Sequence, residues 1–212
     1  MYKSLFLLTL IVLFGLFGQA QPSGFTIVSD TSYIREKIDQ ISRQTNSINT
    51  DFIQEKEMSF LNEKILSKGI LLYQKPDKLR LEYTSPFTYL LIMNGGGLFI
   101  KSSESEMNIN LESSSMFSEI NDMIINSIQG KVLDMPDMKT SFYENSDTFF
   151  IQLFPENKEL QKYIKTIELF IDKKDFTVTQ LKIIELSDDY TLIKFINKKI
   201  NEEIPDSSFI TH

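Results

Sequence analysis

The chain has 212 residues, of which 29 are acidic and 22 basic, so its formal net charge is −7, and 42% of its residues are hydrophobic. This length and apolar content support a folded core, while the acidic balance disfavours nucleic acid as a partner. The chain has no Cys, and its single His is the last residue, His212, so thiol chemistry, disulfides, zinc–thiolate sites and catalysis by a positioned imidazole are not expected.

Residues 1–20 have the features of a cleaved secretory signal. Lys3 precedes an apolar run from Leu5 to Phe17, and the small residues Gly18 and Ala20 end it. The run is too short to span a bilayer comfortably, and an uncleaved membrane anchor is the alternative. We therefore expect residues 1–20 to be removed. Residues 21–212, with a net charge of −8, are then expected to form a single domain in the periplasm.

The first element after the signal is predicted to be an amphipathic helix from Ser32 to Ile48. Its apolar side chains Ile34, Ile38 and Ile41 recur at helical spacing, and Thr31 or Ser32 can cap its start.

Short segments in which apolar and polar residues alternate follow this helix, separated by polar turns. The predicted strands are residues 52–58, 70–74, 79–83, 87–93, 98–101, 140–143, 148–154, 166–171, 177–186 and 190–197. Strands joined by tight turns predict an antiparallel meander. About ten or eleven strands exceed what a flat open sheet comfortably holds, so the sheet should curl.

A second helix is predicted at residues 116–129, in the middle of the strand pattern. Its apolar side chains form one stripe, made of Met116, Phe117, Ile120, Met123, Ile124 and Ile128. Two interpretations remain open, because periodicity does not separate them. The helix either covers or plugs the sheet as ordinary core, or acts as a movable lid on an apolar cavity.

Several short motifs follow one another in a distinctive order. They are Phe52-x-Gln54, a segment from Gly69 to Lys75-Pro76, the alternating strand Leu79 to Tyr83, Pro86, the Asn94-Gly95 hairpin before Leu98 and Phe99, and the closing segments Ile193 to Asn201, Ile204-Pro205 and Phe209. Together these motifs resemble the outer-membrane lipoprotein carrier family, LolA. The resemblance covers most of the chain after residue 20.

The resemblance implies a mainly β fold with covering helices, namely an unclosed, half-pipe antiparallel β-barrel. Its function would be to shield lipoprotein acyl chains between the inner and outer membranes of a diderm bacterium. Exposing one sixteen-carbon chain to water costs about 12 kcal/mol, so unaided crossing is negligible. The implied partners are acylated lipoproteins, an inner-membrane lipoprotein-releasing transporter and, where one exists, an outer-membrane acceptor. A monomer without cofactor, metal or nucleic acid is expected.

The resemblance also assigns residues to the cavity, the lid and a latch. The cavity positions are Phe52, Leu79, Leu81, Tyr83, Leu91 and Phe99. The lid positions are Phe117, Ile120, Met123, Ile124 and Ile128. Lys75 takes the position of the basic residue that, in the family, bonds helix backbone and holds the lid shut. The family commonly has Arg at this position. Lys lacks the planar guanidinium of Arg, so it cannot form a bidentate latch. The alternative for Lys75 is a solvated turn residue.

Two other functions are compatible with parts of the sequence. One is a periplasmic regulator with the same half-barrel that senses lipid or lipoprotein; such relatives usually carry a second domain, for which residues 21–212 leave little room. The other is a hydrolase that uses paired carboxylates from the set Glu82, Glu104, Glu106, Asp188 and Asp189. No nucleophile–base spacing supports an enzyme, and Asp172 and Asp175 lack the spacing of a calcium loop.

Overall fold

The computed structural model describes residues 22–61, 63–110, 133 and 137–210. Their main feature is one sheet of twelve strands. The strands are β1 (Thr26–Ile27), β2 (Ser47–Glu57), β3 (Ile65–Gln74), β4 (Lys78–Ser85), β5 (Tyr89–Asn94), β6 (Gly97–Ser102), β7 (Glu106–Asn110), β8 (Met138–Glu144), β9 (Thr148–Pro155), β10 (Ile164–Asp172), β11 (Val178–Glu185) and β12 (Tyr190–Ile200).

The strands lie in the order β1-β8-β9-β10-β11-β12-β2-β3-β4-β5-β6-β7, and every neighbouring pair is antiparallel. The pairing of β12 with β2 joins two meanders into one sheet. Among the described strands, β1 and β7 are the two edges, so the sheet is not closed into a barrel. This confirms the predicted unclosed antiparallel sheet. The two strands that the prediction missed are the edges β1 and β7, which are short and carry few apolar residues.

The predicted first helix is present as α1 (Ser32–Gln44), but its predicted end at Ile48 was wrong. Thr45 is extended, with ψ 113°, and β2 begins at Ser47, where Ile48 pairs with Tyr73 of β3. Pairing in the sheet therefore overrides the helical spacing of Ile48. Within the described part of the chain, no helix is long and apolar enough to span a membrane.

One side of the sheet carries two clusters of buried apolar side chains. The first cluster lies between α1 and strands β8–β10 and includes Ile34, Ile38, Leu133, Met138, Phe142, Phe149, Ile151, Leu153, Leu160, Ile167, Leu169 and Ile171. The second lies on β2–β6 and contains Phe52, Leu71, Tyr73, Leu79, Met93 and Leu98. Leu181 packs against the first cluster, and its cross-strand partner Ile193 packs against the second, so both clusters share one side of the sheet. We call this side the apolar face.

A smaller cluster lies on the opposite side. Ile92, Ile204 and Phe209 form it, and Phe209 ends a short 3₁₀ helix at Asp206–Phe209. The C-terminal segment therefore packs on the outside of β4 and β5. The predicted second helix, with its lid residues Phe117, Ile120, Met123, Ile124 and Ile128, lies outside the described residues.

Candidate functional site

Five of the six predicted cavity residues lie together on the apolar face. Phe52 and Leu79 are fully buried there, and Leu81, Tyr83 and Leu91 are partly buried against them. The register explains the grouping, because Leu81 lies opposite Leu91, and side chains that face each other across paired strands point to the same side.

Phe99 is the exception and lies on the opposite side of the sheet. Its strand neighbour Leu98 belongs to the second cluster, and successive side chains of a strand point to opposite sides. Phe99 instead packs with Ile92 and Phe209 under the C-terminal segment. Assigning Phe99 to the cavity was therefore wrong by one residue of strand register.

The Phe52-x-Gln54 motif has a specific packing role. Phe52 pairs with Gly69, and a Cβ atom at Gly69 would lie 2.5 Å from the Phe52 ring, so only glycine leaves room for it. The Phe52 ring meets the Tyr83 ring edge-on at 5.0 Å between centroids, and the Tyr83 hydroxyl donates to Gln54 Oε1 at 2.8 Å. Burial, with a smaller contribution from nearby Tyr89, raises the pKa of Tyr83 to about 12. The phenol therefore stays neutral within the apolar face.

An apolar cavity of about 70 Å³ lies between the C-terminal half of α1 and the sheet, where the two clusters approach each other. Its lining is made of Ile38, Ile41, Ser42, Thr45, Ile48, Thr50, Leu71, Ile171, Phe176, Thr177, Val178, Phe195, Lys198 and Ile200. Pockets that hold small ligands usually measure about 300–1,000 Å³. This cavity is therefore smaller than a usual ligand pocket, and α1 covers it.

None of the predicted cavity residues lines this cavity, although five of them lie on the same face. Leu71 and Phe195 do line it. Each lies two residues from another apolar residue of the same face, Leu71 from Tyr73 and Phe195 from Ile193. That alternation was a signal by which the sequence could have identified them.

Lys75 lies at the C-terminal end of α1. Its Nζ donates to the carbonyl oxygens of Ser42 and Arg43, at 2.8 and 2.9 Å, in the last turn of the helix. The last carbonyls of a helix have no partner within it, and a cation stabilises the negative end of the helix dipole. Lys75 thus bonds the backbone of a helix, and its role as a latch stays a prediction. Among the described helices, the one that Lys75 bonds is α1.

Two further side chains hold α1 and were missed by the sequence prediction. Arg35 donates to the carbonyl of Leu133 at 2.7 Å and to Thr140 Oγ1 at 2.8 Å. Asn201 donates to the carbonyl of Gln44 at 3.0 Å. An arginine next to an apolar stripe and an asparagine just after a strand carry no distinctive sequence signal.

Comparison with known proteins supports the fold. A family model described as "Outer membrane lipoprotein carrier protein LolA" matches residues 43–211. MucB of Pseudomonas aeruginosa, in its complex with MucA, is 11% identical with a TM-score of 0.52, and the alignment covers 87% of this chain and 62% of that chain. A LolA superfamily protein from Nitrosomonas europaea is 11% identical with a TM-score of 0.47, over 87% of this chain and 99% of that chain. A search of curated proteins finds no match.

Proposed function

This chain belongs to the outer membrane lipoprotein carrier protein LolA family, and on that basis we propose that it is a periplasmic carrier that shields the acyl chains of lipoproteins. The acyl chains would bind on the apolar face, in the cavity that α1 covers. The lipoproteins would come from an inner-membrane releasing transporter and pass to the outer membrane or an acceptor there.

The observation that carries the proposal is the apolar cavity beneath α1, a helix that polar side chains hold in place. A carrier must bury its cargo and then release it, so its cavity has to open. The C-terminal end of α1 is held to the sheet by Lys75 through two hydrogen bonds of its flexible side chain. Such bonds can be exchanged for bonds to water at a small net cost, whereas a tightly packed core resists separation. In this proposal α1 is a lid and Lys75 is its latch.

The proposal is tested at two adjacent residues of β12 that face opposite ways. Phe195 lines the cavity, whereas Ile196 is 41% exposed. We expect Phe195→Glu to reduce binding of an acylated lipoprotein at least about tenfold, because a carboxylate would have to be desolvated beside the acyl chain. Ile196→Glu should bind as the wild type does. The readout is the amount of acylated lipoprotein that each variant keeps in solution without detergent.

Two controls complete this experiment. Circular dichroism checks that both variants fold, and the same lipoprotein without its acyl chains should not bind any variant. Equal binding of the acylated form by Phe195→Glu and the wild type would contradict the proposed cavity. Mass spectrometry of what co-purifies from the periplasm separates a carrier, which should hold lipoproteins, from a sensor of free lipid.

A further inference from the structure

A β-bulge in β12 directs a lysine onto the apolar face. Ile196 pairs with Asp51 and Lys199 with Asn49, so β12 has one residue more than β2 between these pairs. The extra residue is accommodated at Asn197, whose φ is +55°. Bulges of this kind redirect the side chains that follow. As a result, Lys198 lines the cavity together with Phe195 and Ile200. Without the bulge, regular alternation from Phe195 would have placed residue 197 on this side of the sheet instead.

Two hydrogen bonds to the start of β11 and the residue before it partly satisfy the ammonium group of Lys198. Its Nζ donates to Thr177 Oγ1 at 2.7 Å and to the carbonyl of Val178 at 2.5 Å. An ammonium group has three N–H donors, so one remains beyond these two bonds. Burial lowers the pKa of Lys198, and the nearby carboxylates of Asp175 and Asp172 act in the opposite direction.

Ser42 contributes a second polar group to the same cavity from the helix side. It is only 6% exposed, and its hydroxyl has no hydrogen-bond partner within the described residues. A buried hydroxyl without a partner is costly, so it is uncommon unless it serves a ligand or an ordered water. Ser42 lies on α1 and Lys198 on the sheet, so a ligand between them would contact both walls of the cavity.

We infer that this cavity binds the carbonyl group of a neutral, ester- or amide-linked acyl chain, with Lys198 and Ser42 as hydrogen-bond donors. The inference rests on the proposed function, because it specifies which part of the acyl ligand lies here. A plain hydrocarbon would leave the Ser42 hydroxyl and the third N–H of Lys198 without an acceptor, whereas a carbonyl oxygen accepts hydrogen bonds. Beside Lys198, the carboxylates of Asp172 and Asp175 would repel a carboxylate ligand, which favours a neutral carbonyl there.

The test compares two ligands that differ only at the carbonyl. These are 1-palmitoyl glycerol, an ester, and 1-O-hexadecyl glycerol, its ether counterpart, each measured by displacement of a fluorescent apolar probe from the purified protein. The wild type should bind the ester about tenfold more tightly than the ether, as expected for one or two hydrogen bonds. Lys198→Met and Ser42→Ala should each reduce this preference to about threefold or less.

Lys199→Met is the matched control, because Lys199 is the next residue, is exposed and pairs with Glu202 at 3.3 Å. It should keep the full preference. Ser42→Ala keeps the test valid if Lys198→Met does not fold, since it removes only an unpartnered hydroxyl. Equal binding of ester and ether by the wild type, or an unchanged preference in Ser42→Ala, would overturn the carbonyl site while leaving the carrier function standing. Failure of the wild type to bind either ligand would overturn both.

Discussion

Replacing Lys75 with Met removes the latch at the C-terminal end of α1 while retaining most of the aliphatic stem. The variant loses two charge-assisted hydrogen bonds, to the carbonyls of Ser42 and Arg43. Such bonds contribute about 1.5–3 kcal/mol each when the partner is left unpaired in the interior. Lys75 is only partly buried, so water can replace part of this interaction. We therefore expect the free energy of lifting α1 to fall by about 1–2 kcal/mol in total, which corresponds to a roughly five- to thirtyfold larger open population.

Hydrogen–deuterium exchange measures this change directly, because exchange reports local opening. Amides in the last two turns of α1 should exchange roughly five- to thirtyfold faster in Lys75→Met than in the wild type. Amides of β9 and β10 should exchange as before, since Lys75 bonds to neither strand in the contacts described. Lys75→Arg should restore most of the protection, because Arg also donates to carbonyl oxygens.

Lys78→Met is the control from the same hairpin. Lys78 pairs with Asp206 at 2.8 Å, in the C-terminal segment, so its loss should leave the exchange of α1 unchanged. Unchanged protection of α1 in Lys75→Met would refute the latch. Equally faster exchange across the whole sheet would also refute it, because it would indicate global rather than local destabilisation.

Two further predictions concern the packing of the apolar face. Gly69→Ala should lower the free energy of unfolding by about 3 kcal/mol, because its Cβ would lie 2.2 Å from the Glu82 carbonyl oxygen and 2.5 Å from the Phe52 ring. The control Gly97→Ala should lower it by less than about 1 kcal/mol, because its Cβ would lie 3.4 Å from the nearest atom. Urea unfolding measures both losses, and equal losses would contradict this packing. Burial raises the pKa of Tyr83 to about 12, whereas a tyrosine of the unfolded chain has a pKa of about 10. The unfolded state therefore loses this proton first, and the free energy of unfolding should fall as the pH rises from about 10 to about 12. In Tyr83→Phe, the urea midpoint of unfolding should decrease less over this pH range than it does in the wild type. The same pH dependence in both proteins would contradict the raised pKa of Tyr83.

The sequence predicts the sheet well where side chains alternate cleanly. Leu79, Leu81 and Tyr83 alternate with charged residues, and they lie on the apolar face as that pattern indicates. Alternation alone does not say which side of the sheet is the apolar face when both sides carry apolar residues. Phe99 shows the difficulty, because Leu98, Phe99 and Ile100 are consecutive apolar residues and only pairing with β5 assigns each of them to a side.

The site is less predictable than the fold, because it depends on irregular backbone and distant contacts. Lys198 faces the cavity only because a bulge at Asn197 interrupts the alternation of β12, and no residue spacing in the sequence marks that bulge. Lys75 illustrates the reverse case. Its position before Pro76 indicated a role through family resemblance, whereas the turn pattern alone was equally compatible with a solvated lysine.

The two edges of the sheet, β1 and β7, have a mechanical consequence for a carrier. A closed barrel has a fixed circumference, because its strand number and stagger set the interior volume. Among the described strands, β1 and β7 are not paired with each other. The sheet can therefore flatten or curl without breaking hydrogen bonds between its strands. If the protein carries acyl chains as proposed, this freedom would let the same apolar face adapt to one chain or to several.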